Sequence, residues 1–159
     1  MSVEKVKNYF DRIGVSPEVI EFEVSSATVE LAARAVGVEE ARIAKSLSFK
    51  VGEKYIVLVT AGDVKIDNHK YKGMFHQKAH MLSAEEVTEH IGYNVGGVCS
   101  FDLPDDVDTY LDESLKRFET VYPAAGGSNN AVKLTPDQLA EYSSNFKGWV
   151  DVTKPKFEQ

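Results

Sequence analysis

A single cysteine, Cys99, excludes an internal disulfide framework. No apolar run approaches the ~20 residues of a membrane-spanning helix. The start, Met1-Ser2-Val3-Glu4-Lys5, has no apolar signal core, so the cytoplasm is the expected location. Basic residues are in deficit, with 18 Lys and Arg against 25 Asp and Glu and a net charge of −7. That balance argues against broad nucleic-acid binding, which depends on cations neutralising many phosphates. There is no G-x-x-x-x-G-K-[ST] loop, no G-x-G-x-x-G after a strand, no H-E-x-x-H and no C-x-x-C. His69, His76, His80 and His90 do not fall at zinc-ligand spacing, so neither a metal nor a cofactor is expected.

What is present reads as one domain over residues 1–159. Val3, Val6, Tyr9, Phe10 and Ile13 recur at helical spacing, and Gly14 supplies a stop. Residues 18–24 read as a strand. Ser26 can cap a helix that Gly37 ends. Residues 45–50 and 55–59 read as strands joined by a tight turn, the second apolar throughout and therefore central. A short helix over 67–74 and a short strand over 79–82 follow. Ser83-Ala84-Glu85-Glu86 is a capping box for a helix to His90. Residues 109–111, 118–122 and 131–134 read as strands. Thr135-Pro136-Asp137-Gln138 opens another helix, and 148–152 reads as an edge strand. Without a regular βαβ cadence the fold class is α+β, with a mixed, mostly antiparallel sheet and short flanking helices.

The charge is uneven. Lys65, Lys70, Lys72 and Lys78 share a segment with only Asp67 opposing them, whereas residues 102–113 are strongly acidic. Two glycine-rich stretches stand out. Gly92-Tyr93-Asn94-Val95-Gly96-Gly97-Val98-Cys99-Ser100 can aim several N–H groups at one point, because glycine accepts φ > 0 and close backbone approach. Ala124-Ala125-Gly126-Gly127-Ser128-Asn129-Asn130 has the same character. Together with Lys45, at the start of an otherwise apolar strand, they suggest a site for a phosphorylated or carbonyl-bearing ligand. Cys99 is a candidate nucleophile, although a lone cysteine is commonly a small buried hydrophobe.

The residues resemble, in order and over nearly the whole chain, the YbaK/ProX-type aminoacyl-tRNA deacylases, which include the editing domain inserted in bacterial prolyl-tRNA synthetases. The matching runs are Ser26-Ala27-Thr28-Val29-Glu30-Leu31-Ala32-Ala33 with Gly37, Ile43-Ala44-Lys45-Ser46-Leu47, Val59-Thr60-Ala61-Gly62-Asp63 and Lys65-Ile66-Asp67. Gly92-Tyr93, Gly96-Gly97-Val98, Ala124-Ala125-Gly126-Gly127 and Leu134-Thr135-Pro136 complete the set. The resemblance implies a sheet curled toward a barrel and hydrolysis of a mischarged ester, such as Ala or Cys on tRNA-Pro. A binding module for aminoacyl-adenosine or a nucleotide on the same fold is the alternative. The implied partners are the tRNA acceptor end and prolyl-tRNA synthetase, with no membrane. By the same resemblance Lys45 meets the phosphate of the terminal adenosine. Gly96, Gly97, Val98, Cys99 and Ser100 form the loop that embraces the ester. Thr28 and Ser46 contact substrate, and Gly126, Gly127, Ser128 and Asn129 close the site. The family's G-x-x-x-P loop ends here in Ser100 rather than Pro, which removes a fixed φ and adds a hydroxyl.

Overall fold

The computed structural model describes residues 2–26 and 28–157; Met1, Ala27, Glu158 and Gln159, which the expectations above touch, lie outside the described residues. Helix α1 (Ser2–Ile13) turns Val6 and Phe10 into the core and stops at Gly14, whose φ is 77°. After β1 (Glu18–Glu21) comes α2 (Val29–Val36), ended by Gly37 in the left-handed region. Its cap is Thr28, which accepts from the Leu31 amide at 3.1 Å. Ser26, expected in that role, instead donates its hydroxyl to the Ser128 carbonyl.

Strands β2 (Ile43–Val51) and β3 (Lys54–Ala61) form an antiparallel hairpin, and β4 (Val64–Ile66) follows a tight turn. Helix α3 (Asn68–Phe75) is capped by Asp67, which accepts from two amides. The expected strand at 79–82 is only a bridge between Phe49 and Met81. Helix α4 (Ala84–Glu86) carries the Ser83–Glu86 capping box and runs on as a π-helical turn, Val87–Ile91. Strand β5 (Val107–Asp112) leads through a 3₁₀ turn to β6 (Tyr122–Pro123) and β7 (Asn130–Lys133). Helix α5 (Pro136–Tyr142) has the Thr135–Gln138 capping box. Strands β8 (Phe146–Val150) and β9 (Thr153–Pro155) end the described fold.

The central sheet runs β6-β2-β3-β5-β8. Its middle strand is β3, buried from Ile56 to Ala61 because both faces are covered. The sheet is mixed, as expected. Three of its four pairings are parallel, while the antiparallel ones are β2–β3 and the outlying pairs β1–β7 and β4–β9. Bridges Val121–Leu134 and Ala124–Ala131 join β6 to β7, so the sheet curls onward into the β1–β7 pair as a half-barrel. One face packs Val57, Val59 and Leu111 against α1 and α5. The other packs Ile56 and Leu58 against Tyr71 and Phe75 of α3. Each such side chain contributes about 1.5–3 kcal/mol through burial.

Two consequences position the site. Strand β6 covers β2 only at Ile43 and Ala44, and the chain at 80–82 pairs again only with Ser48, Phe49 and Lys50. Between them the edge of β2 is open at residues 45–47. The outer edge of β2 is used by the even residues: Ser48 accepts from Leu82 and Lys50 donates to His80. Strand alternation therefore turns the backbone N–H and C=O of Ser46 toward the gap.

Candidate active site

The gap is a cleft of about 340 Å³, and its lining is mostly apolar. That volume lies at the small end of ligand pockets. Its floor is Ala44, Lys45, Ser46 and Leu47 of β2. Thr28, the cap of α2, and Val29 and Ala32 of that helix form one wall, with Met81, Leu82 and Val87 opposite. Val95, Gly96 and Val98 of the first glycine loop, with Tyr122, Ala124, Asn130 and Ala131, complete it.

Lys45 supplies the cleft's cation. Its side chain is half-buried, and Nζ donates to the Val64 carbonyl at 2.5 Å. An ammonium has three donors, so two remain after that bond. Burial pulls the Lys45 pKa below the usual lysine range. The charge of Lys156 acts in the same direction, and Asp63 opposes both. Asp63 is itself clamped by both terminal nitrogens of Arg117, at 3.0 and 2.5 Å, which holds its carboxyl below the usual carboxylate range.

The two glycine loops meet. A Cβ on Gly97 would lie 2.7 Å from the Gly126 carbonyl oxygen. Gly96 and Gly126 hold φ of 96° and 95°, a region that costs residues with a Cβ. Asn130 sets the second loop: its Oδ1 accepts from the Ala125 amide at 2.9 Å and the Gly127 amide at 3.3 Å. Asn129 is tied to β1 through its carbonyl, which accepts from the Phe22 amide at 2.7 Å.

The cleft thus gathers Lys45, Ser46, Thr28, Gly96 and Val98. Gly97, Gly126, Gly127, Ser128 and Asn129 line an adjoining depression behind the loops, which shares Val95 and Asn130 with the cleft. The Gly97 amide is also committed, donating to the Asn94 carbonyl at 2.9 Å. Val95, Gly96 and Val98 are therefore the positions of this loop that border the cleft, Gly96 through its backbone.

Two of the expected site residues stand apart from the cleft. Cys99 and Ser100 are fully buried and line neither hollow. The chain dives into the core at Phe101, which packs on Phe10 with ring centroids 4.9 Å apart, and takes both residues with it. Burial pushes the Cys99 thiol up to about 11, so it stays protonated at neutral pH and is unsuited to nucleophilic attack. The Ser100 hydroxyl lies 2.7 Å from that of Ser143 on the far side.

Four contributors escaped the sequence reading. Asn130 was visible only as the end of a loop, although Gly-Gly-Ser-Asn-Asn is a pattern in which an Asn side chain satisfies turn amides. Met81, Leu82 and Val87 carry no chemical signal and reach the cleft only through folding.

Residues 23–142 match the aminoacyl-tRNA editing domain family. The chain belongs to the aminoacyl-tRNA editing domain family. This editing domain is 52% identical to the uncharacterized protein YwhH of Bacillus subtilis, over 97% of the chain and 98% of YwhH. It is 22% identical to the proline–tRNA ligase of Bacillus velezensis over 79% of the chain, and spans only 22% of that ligase's length. A crystal structure described as that of a candidate trans-editing enzyme for prolyl tRNA synthetase superposes with a TM-score of 0.87 at 27% identity. The match covers 96% of the editing domain and 97% of that chain.

Proposed function

We propose that this chain is a deacylase that hydrolyses mischarged aminoacyl-tRNA in trans, with a small residue such as Ala or Cys on tRNA-Pro as substrate. The observation that carries the reading is the joint lining of one apolar cleft by Lys45, Ser46, Gly96 and Val98. An apolar synthetase pocket discriminates poorly against smaller analogues, a methylene being worth about 1–3 kcal/mol, so a second site that admits small products restores fidelity. A cleft of this size, with α2 closing one side, supports selection by volume.

In this reading the Lys45 ammonium anchors the phosphate of the terminal nucleotide. Backbone amides at Gly96 and Val98 face the ester carbonyl oxygen and stabilise the charge that develops on it. A held water, or a ribose hydroxyl followed by water, attacks the carbonyl carbon. The bond to the ribose oxygen breaks, and that oxygen takes up a proton, leaving a free amino acid and an intact tRNA end. The editing-domain family and the likeness to the candidate trans-editing enzyme support this chemistry.

The test is direct. Ala-tRNA(Pro), Cys-tRNA(Pro) and Pro-tRNA(Pro) are incubated separately with the protein, and acid-stable ester is followed. Loss of the Ala or Cys ester with the Pro ester spared is the expected result. Binding of all three with no loss above buffer would overturn the reading in favour of a binding module.

A further inference from the structure

Strands β4 and β9 form a two-stranded antiparallel ribbon that begins at the cleft. The Val64 carbonyl, which Lys45 holds, belongs to its first residue, and the Lys156 amide extends the pairing by donating to the Asp63 carbonyl at 2.9 Å. Val64 and Thr153 are buried on the inner face. On the outer face the register sets Lys65 directly opposite Lys154. Like charges directly opposite on a strand pair are destabilising. Alternation puts Lys156 on the same side as Lys154, and its charge is felt at Lys45.

The nearby carboxylates are engaged elsewhere, although Asp67 also feels the charge of Lys154. Asp63 is clamped by Arg117, Asp67 caps α3 and Asp151 pairs with Lys70 at 3.0 Å. Among the described residues Lys65, Lys154 and Lys156 make no ion pair with any of them. Among the described residues this face thus holds three cations outside any ion pair, on a chain of net charge −7.

We propose that the outer face of the β4–β9 ribbon is a docking track for the RNA backbone, with Lys65, Lys154 and Lys156 receiving the phosphates that precede the esterified nucleotide. This rests on the deacylase reading, since the cleft must hold the end of the same strand. Three contacts make a small electrostatic footprint. Each single-strand phosphate neutralised adds about −0.7 to the slope of log K against log salt, so the track accounts for a slope of about −2.

The experiment measures binding of uncharged tRNA(Pro) by fluorescence anisotropy across a salt series. It compares the wild-type chain with the Lys65→Gln/Lys154→Gln/Lys156→Gln variant, both checked for folding by thermal unfolding. A slope shallower by about 2, with weaker binding at low salt, supports the track; equal slopes overturn it. If the triple variant does not fold, Lys154→Gln alone, which also removes the like-charge opposition, is expected to change the slope by about 0.7, and no change overturns the proposal. The two readings fail separately. Wild-type binding with the predicted slope but no ester hydrolysis sinks the deacylase and leaves the track. Hydrolysis with an unchanged slope in the variant does the reverse.

Discussion

Gly97 lies in backbone contact with Gly126: a Cβ on Gly97 would stand 2.7 Å from the Gly126 carbonyl oxygen and 3.1 Å from the Gly127 Cα. Neither neighbour is a flexible side-chain end that could swing away. Gly97→Ala must therefore part the two loops, at a cost of about 1–3 kcal/mol for forced overpacking. Parting them moves Gly96 and Val98, and a displacement near 1 Å at a reacting centre can cost about 100-fold in rate. A lowered denaturation midpoint together with a fall in kcat of at least tenfold is expected. Gly73→Ala is the control. Gly73 sits in α3, where an added methyl group would meet nothing within 4 Å, and Ala is the better helix former by about 1 kcal/mol. That variant should gain stability and keep full activity.

Lys45 sets function against stability. Its folded-state pKa is depressed, chiefly by burial. At neutral pH the unfolded chain therefore accommodates the charge better than the folded one. The sign follows from proton binding: between the lowered folded value and the ordinary lysine value the unfolded state holds more protons, so stability rises with pH across that window. Lys45→Met removes the cost. We expect an unfolding midpoint at pH 7 equal to or above wild type, loss of the alkaline rise, and deacylation abolished. Turnover like that of wild type in Lys45→Met would remove the ammonium from the mechanism.

How much of this was legible beforehand differs by region. The apolar run at 55–59, the glycine stops at 14 and 37, and the boxes at Ser83 and Thr135 act over a few residues, so the local pattern reported them correctly. The β4–β9 ribbon joins two three-residue strands nearly ninety positions apart, too short for periodicity to register. The parallel pairings of β5 with β3 and β8 are long-range choices that no local signal encodes. Within the first glycine loop, Val98 and Cys99 are neighbours with opposite fates. The cleft claims the first and the Phe10–Phe101 contact claims the second, a division made by the core and not by the loop's own composition.

Cys99 gives an alkaline prediction with the opposite sign to Lys45. Its thiol is raised from 9.0 to about 11 by complete burial beside Tyr93, whose hydroxyl donates to the Phe101 carbonyl at 2.5 Å. A raised folded-state value favours the fold below pH 9 and loses that contribution as pH climbs from 9 through 11. At about 1.4 kcal/mol per unit this amounts to at most about 3 kcal/mol. Cys99→Ala should flatten that part of the pH–stability curve. It should lose about 1 kcal/mol at pH 7 through the small cavity and leave kcat unchanged. Thiol reagents should modify wild-type Cys99 only at the rate of opening of the fold. Rapid labelling of the native protein at pH 7 would contradict its burial.

Ser100 and Ser143 share a hydroxyl–hydroxyl contact of 2.7 Å, and Ser143 also donates to the Leu139 carbonyl at 2.6 Å. Ser100→Ala leaves Ser143 with that second partner, so the cost should stay near 1 kcal/mol, the typical worth of one hydrogen bond. Because Ser100 lies behind the cleft wall, kcat/KM for the mischarged ester should remain within twofold of wild type. A tenfold loss at unchanged stability would show that this position governs the loop after all.

Ser46 brings an unpaired buried hydroxyl to the cleft lining. The residue lines the hollow, yet its Oγ is buried without a hydrogen-bond partner among the described residues. Leaving a buried hydroxyl unpaired costs about 1–3 kcal/mol, so a purely structural serine here would be a poor choice of residue. Ser46→Ala should hold or raise the unfolding midpoint, because it removes an unsatisfied group. If that hydroxyl meets substrate, the same change should raise KM for the aminoacyl ester several-fold with kcat little altered. The effect should be largest for the substrate whose amino group or side chain the hydroxyl pairs with, which a comparison of Ala and Cys esters reads out. Ser46→Thr keeps the hydroxyl and should restore affinity unless the added methyl blocks the cleft. A stability loss on Ser46→Ala with KM unchanged would assign the hydroxyl to the fold and not to the ligand.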